Sequence, residues 1–240
     1  MKRLLLALAF AAFAAPASAT LQLSASLNGV GFFCADQQAC DTNATVGILA
    51  IQDQVIGGIR ILGSSQIQSI AGGLINTASF QISNETLAAA TVVLAISGVD
   101  FLGPTSTFEA SGSGTFQNAV GSDITINFFA DPANAQGADS PLDLPGIQLA
   151  TFSDVAATIA DAFAFNGSGP FLSGGPFFSM SLGTSGTFVP WTGVPGAQPT
   201  LVGRSQTLII PQLQVPEPGT LALLAVGLLG LGFMQRRRAR

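Results

Sequence analysis

The sequence predicts an all-β fold: an antiparallel β-sandwich ectodomain set between a cleavable N-terminal signal peptide and a C-terminal transmembrane helix. Three observations lead there. Short runs of alternating apolar and polar residues recur along the chain, broken by Gly, Asn, Asp and Ser. Such runs put their apolar side chains on one face of a strand, and that face needs a partner sheet. Both ends are apolar segments flanked by basic residues, and the region between them is almost free of Lys and Arg.

At the N-terminus, Lys2 and Arg3 precede an apolar run over 4–15, followed by Ala17, Ser18 and Ala19. The small residues Ala17 and Ala19 suit a signal peptidase, so the mature chain is expected to begin at Thr20. About twelve apolar residues give a helix of about 18 Å, too short for the roughly 30 Å hydrocarbon core.

Cys34 and Cys40 come next. In an exported chain paired thiols are oxidised by default, so a disulfide is expected between them. Residues 47–51 and 55–62 read as a hairpin turning at Gln52 and Asp53. Further strand runs are expected at 77–83, 91–97, 106–110, 114–119, 124–130, 162–166, 177–182 and 205–210. Within them Ile124, Ile126 and Phe128 take every second position, as do Phe178, Met180 and Leu182. Short strands with turn residues between them favour an antiparallel sandwich over a helical or α/β fold.

Residues 153–162 stay open between helix and strand. Ser153 or Asp154 would cap a helix and the alanines favour one, whereas Val155, Thr158 and Ile159 are β-branched. Three similar pentads, at 112–116, 167–171 and 184–188, read as hairpin chemistry in which Gly supplies positive φ before a Phe that enters the next strand. Their unequal spacing defines no repeat. A long loop around Trp191 is expected over 190–203, and the sequons at Asn43, Asn84 and Asn166 read as turn residues.

The tail reads Pro216-Glu217-Pro218, then an uncharged apolar stretch over 221–234, then Arg236, Arg237 and Arg238 with Arg240 behind them. The prolines interrupt preceding structure. A helix over 219–234 would span about 24 Å, a marginal membrane crossing whose basic flank stays cytoplasmic and leaves the ectodomain outside. The organisation is therefore a signal peptide at 1–19, an ectodomain at 20–211, a linker with the Pro-Glu-Pro motif at 212–218, a transmembrane sorting helix at 219–235 and a basic cytoplasmic tail at 236–240.

Removing both ends changes the charge. Only Arg60 and Arg204 remain against twelve acids, so a nominal net charge of −5 becomes two minus twelve, or minus ten. Nucleic-acid binding needs several basic contacts with phosphates and is excluded. The chain has no His, which closes off Ser-His-Asp and Cys-His nucleophiles and argues against a zinc site. No cofactor is expected. A carboxylate-pair glycosidase would have to draw on Glu85, Asp100, Glu109 or Asp123, and nothing marks a pair. Asp36 and Asp41, or Asp131, Asp139 and Asp143 with Asn134 and Ser140, offer oxygen to calcium, but neither group has EF-hand spacing.

Taken together, the Pro-Glu-Pro motif, apolar helix and arginine cluster resemble the PEP-CTERM sorting signal of Gram-negative bacteria, a tail also labelled an ice-binding-protein C-terminal domain. The resemblance implies recognition by an exosortase, a membrane transpeptidase, with cleavage near the motif and transfer to the cell surface. Residues 34–43 also look like the first hairpins of several such ectodomains, and 175–180 like a late strand. The expectation is a non-enzymatic surface or matrix protein associated with extracellular polysaccharide. A glycan- or ice-binding module is the alternative, although Thr105, Thr107, Thr115 and Thr125 form no ladder, and a glycoside hydrolase is the least favoured.

Overall fold

A computed structural model describes residues 20–68 and 73–211. The expected signal peptide at 1–19, linker at 212–218, sorting helix at 219–235 and basic tail at 236–240 lie outside the described residues.

Twelve strands run in chain order: β1 Leu21–Leu27, β2 Val30–Ala35, β3 Ile48–Ile56, β4 Ile59–Gln68, β5 Gly73–Asn84, β6 Ala90–Leu102, β7 Thr105–Gln117, β8 Asp123–Asp131, β9 Ile147–Val155, β10 Ala160–Pro170, β11 Phe177–Phe188 and β12 Thr200–Pro211. They form two six-stranded sheets, β2-β1-β6-β11-β8-β9 (sheet A) and β10-β7-β12-β5-β4-β3 (sheet B), in which every neighbouring pair is antiparallel. The all-β sandwich is therefore as expected. Strands β1, β2 and β9 were not among the expected runs, and the runs at 106–110 and 114–119 are one strand, β7.

Alternation explains which way each strand faces. Leu21, Leu23, Ala25 and Leu27 of β1, and Ile124, Ile126, Phe128 and Ala130 of β8, are buried against the inner face of sheet B. Phe116, Phe128, Phe178 and Phe188 are fully buried between the sheets. Each such ring contributes on the order of 1.5–3 kcal/mol relative to exposure. Phe152 of β9 stacks on Phe165 of β10 with centroids 4.1 Å apart, and this pair closes one long side of the sandwich.

Glycines opposite phenylalanines give the inner face of sheet B its relief. Phe163 pairs with Gly114, Phe165 with Gly112 and Phe108 with Gly169, while Phe80 lies between Gly63 and Gly203. A ring lies across Gly112, Gly114, Gly169 and Gly203 where a side chain would otherwise stand; the Phe108 ring would come within 2.9 Å of a Cβ on Gly169. Aromatic rings covering cross-strand glycines recover packing that a glycine alone would lose.

Three expectations are corrected by this register, and one open reading is decided. The β3–β4 turn is at Gly57 and Gly58, with φ of 56° and 77°, not at Gln52 and Asp53. A tight two-residue hairpin needs positive φ at both positions, which glycine adopts freely, and Gln52 and Asp53 lie instead where the β3 register shifts. The three pentads lie largely inside β7, β10 and β11, and their glycines accommodate neighbouring rings and backbone rather than turning the chain. Residues 153–162 form no helix: β9 ends at Val155, and the Asp161 carboxylate accepts the Ala157 N–H across the turn into β10. Asn166 is a strand residue of β10, not a loop.

Candidate functional site

The two sheets treat their outer faces differently. The outer face of sheet A is small and polar at its centre, with Gln22, Ser24, Ser97 and Ser181 all buried. What buries them is the loop 132–146 between β8 and β9, which folds back over β1, β6 and β11. Gln22 Nε2 donates to Gly137 O at 2.6 Å and to Asp139 Oδ1 at 3.0 Å. Gly137 N donates to Ser97 Oγ at 3.0 Å, and Ser97 in turn receives the Ser181 hydroxyl at 3.0 Å. Asp100 and Asn134 are joined reciprocally, the Asp100 N–H to Asn134 Oδ1 and Asn134 Nδ2 to Asp100 Oδ1. The centre of face A is thus covered by its own chain.

The carboxylates considered for calcium serve the loops themselves. Asp131 accepts the N–H groups of Ala133 and Ala135, and Asp143 accepts that of Asp139. Asp36 accepts Gly47 N at 2.6 Å. Asp41 accepts the N–H groups of Asn43, Ala50 and Gln37 at 2.9, 3.0 and 3.1 Å. Desolvation pushes the Asp41 carboxyl up, but those three donors and the Asp36 side chain outweigh it and hold Asp41 below its ordinary value. Cys40 of the same loop is bonded at 2.03 Å to Cys34 near the end of β2. Among the described residues no three Asp, Glu, Cys or His side chains gather as metal ligands.

Nor do the four carboxylates considered for catalysis come together as an acid and base. Glu85 is bonded to the Arg60 guanidinium, which also holds Asp53 at 2.6 Å, and Glu85 with Asp53 raises the Arg60 pKa. Asp100 is tied to Asn134 in sheet A, Asp123 opens β8 in the same sheet, and Glu109 faces outward from β7 in sheet B.

Sheet B presents the open face. Its register aligns Gln66 of β4, Asn76 of β5, Gln206 of β12, Ser111 of β7 and Asn166 of β10 in one row across five strands. Adjacent members stand about one strand spacing apart, roughly 4.8 Å. Arg204, two residues before Gln206 on the same strand, is exposed and pairs in register with Ser113. Two hollows flank it. One, of about 380 Å³, is bordered by Asn76, Ser111, Ser113, Arg204 and Gln206. The other, of about 450 Å³, is bordered by Ser79, Thr115, Ala162, Val202 and Arg204.

Among the described residues the side chains of Gln66, Asn76, Ser111, Asn166, Arg204 and Gln206 hydrogen-bond to no other protein group, whereas Gln22, Ser97 and Ser181 on sheet A are bonded to the covering loop or to one another. Amides both donate and accept, and a guanidinium only donates, so the row offers mixed, fixed hydrogen-bonding capacity to a large polar ligand. The apolar cavity between the sheets, bordered by Leu23, Ile51, Ile61, Phe80, Leu94 and Ile96, measures about 60 Å³, well below the roughly 300 Å³ of small organic-ligand sites. Sequence reading missed the amide row because its members come from five strands far apart in the chain. The available signal was that Arg60 and Arg204 are the sole basic residues between positions 20 and 211.

No curated protein sequence matches the chain. Among solved structures, TmCBM61 in complex with β-1,4-galactotriose is 6% identical with a TM-score of 0.30, covering 64% of this chain and 88% of that one. The CBM22-1 xylan-binding domain from Paenibacillus barcinonensis Xyn10C is 13% identical with a TM-score of 0.29, covering 70% and 88%. The mannan-recognising module TmCBM27 is 7% identical with a TM-score of 0.31, covering 69% and 90%. Scores of this size say nothing about what this chain binds. The family model of the PEP-CTERM protein-sorting motif matches residues 214–238, a span that begins three residues after β12 and contains Pro216, Glu217, Pro218, Arg236, Arg237 and Arg238. Directly behind its last strand, the chain carries a PEP-CTERM protein-sorting motif.

Proposed function

We propose that this chain is a non-enzymatic exported protein, sorted to the cell surface by an exosortase and associated there with extracellular polysaccharide through the outer face of sheet B. Sorting is supported by the motif at 214–238. The observation that carries the binding half is the polar row from Gln66 to Asn166, left without protein partners while the centre of the opposite outer face is covered by a loop. A polysaccharide is a long chain of hydroxyl groups, and a row of four amides and a serine spanning five strands matches that chemistry better than it matches a small apolar ligand.

On this reading signal peptidase cleaves before Thr20, the helix at 219–235 holds an inner-membrane intermediate, and the exosortase acts at Pro216-Glu217-Pro218. Fractionation of cells with and without the exosortase tests the sorting half; an ectodomain whose location does not change would overturn it. For the binding half, the exported protein purified in detergent is run through gels containing the host's own exopolysaccharide. Retardation is expected, and the double substitution Asn76→Ala with Gln206→Ala is expected to reduce it at least tenfold. Equal retardation of both proteins would remove this face from the function.

A further inference from the structure

We infer that Arg204 is an anion-binding centre, and that the polysaccharide recognised by the outer face of sheet B bears acidic sugar residues, the ionised group being a carboxylate or a sulfate ester. The inference rests on the glycan reading above and specifies its ligand. Its starting point is the contrast between the two arginines of the ectodomain. Arg60 is neutralised by Asp53 and Glu85. Among the described residues Arg204 has neither an ion pair nor a hydrogen bond, although it stands on a central strand of its sheet.

The surroundings of Arg204 suit an anion. Its neighbours in the outward register are Ser113 and, one strand further, Ala164, both too small to block the guanidinium. Hollows open on both sides of it. The planar fork of a guanidinium can meet two oxygens of a carboxylate or sulfate at once, while Asn76, Ser111 and Gln206 reach neutral hydroxyls of the same chain.

A segment with a net charge of minus ten should repel a polyanion, and the placement of its acids removes the objection at this face. Among the outward positions of β4, β5, β12, β7 and β10, Glu109 is the one carboxylate. It lies four residues along β7 from Ser113, about 13 Å at strand rise, beyond the roughly 8 Å Debye length at physiological salt. Asp100, Asp131, Asp139 and Asp143 belong to sheet A or the loop that covers it, and Asp36 and Asp41 to the β2–β3 loop. Local positive charge therefore faces the ligand against a distant negative background.

The test uses the exported protein purified in detergent, with polygalacturonate, dextran sulfate and neutral dextran as probes and Arg204→Gln and Arg204→Lys as variants. An exposed side chain without protein partners leaves the fold intact when replaced, and an unchanged melting temperature verifies this. Wild type is expected to bind polygalacturonate or dextran sulfate at least tenfold more tightly than Arg204→Gln, with Arg204→Lys between them and with binding weakened by added salt. Which polyanion shows the loss identifies the ionised group. Equal binding of wild type and Arg204→Gln to both polyanions overturns the inference, and it leaves the glycan reading standing if the host exopolysaccharide still retards the protein. Failure to bind any probe, the host polysaccharide included, overturns both.

Discussion

Phe163 sits directly opposite Gly114 in the β7–β10 ladder, and its Cζ lies 2.6 Å from the point where a Cβ on Gly114 would stand. The glycine is thus a receptacle for the ring. Gly114→Ala should push the ring from its place and destabilise the domain by about 1–3 kcal/mol, the usual penalty for overpacking. The same substitution in a Phe163→Ala background should cost markedly less, because only the Val202 carbonyl oxygen, 3.0 Å away, then stands close to the position. Urea midpoints of the four proteins measure the difference, and additive effects would show that ring and glycine do not depend on each other.

Asp41 gives the β2–β3 loop a pH dependence of known sign. Its carboxylate accepts three backbone N–H groups, which stabilise the charged form and hold its pKa below the unfolded value. A carboxyl depressed by folding stabilises the native state above the unfolded pKa, about 3.9, and loses that contribution as pH falls through the folded value. Asp41→Asn should therefore lower the urea midpoint at pH 7 and approach wild type as pH drops below about 4. A gap between the two proteins that does not shrink on acidification would disprove the charge argument.

One side chain of β1 gives the loop over sheet A two of its bonds. Gln22 is 7% exposed and donates to both Gly137 O and Asp139 Oδ1. Gln22→Ala removes both bonds and leaves Gly137 O with Gln136 Nε2 alone as donor, a loss of about 1–3 kcal/mol. Amide exchange at Gly137 should accelerate, since its N–H bond to Ser97 is then part of a looser loop. Exchange in β4 and β12, on the other sheet, should stay as slow as before, because a local opening does not need the whole sandwich to unfold.

How much of this was legible depends on distance along the chain. The alternation of Ile124, Ile126 and Phe128 shows which way β8 faces without any knowledge of its neighbours, since period two is a local property. Gly112 and Gly114 look like turn residues for an equally local reason, because glycine is the default where φ is positive. Their actual role depends on Phe165 and Phe163, some fifty residues later, and no local rule pairs them. The hairpin turn was misplaced because Gln52-Asp53 and Gly57-Gly58 both punctuate the run; positive φ at both turn positions favours the glycines, and the register shift after Ile51 accounts for the other pair. The candidate face is the extreme case: Gln66, Asn76, Ser111, Asn166 and Gln206 share nothing in sequence beyond an outward position. Sheet order brings them together.

Two polar-to-alanine substitutions on opposite outer faces should therefore behave in opposite ways. Ser97 is fully buried and links Gly137 N to the Ser181 hydroxyl, so Ser97→Ala leaves a buried N–H without an acceptor and should lower the melting temperature by several degrees. Because the outer face of sheet B is untouched, retention by exopolysaccharide should not change. Gln206 is exposed and has no partner among the described residues, so Gln206→Ala should melt within about a degree of wild type, as surface changes usually do. Its effect should fall on binding instead, with weaker retardation in the polysaccharide gel. If Gln206→Ala destabilised the fold and spared retention, the amide row would be a structural element of the sheet, and the difference between its two outer faces would no longer mark a binding surface.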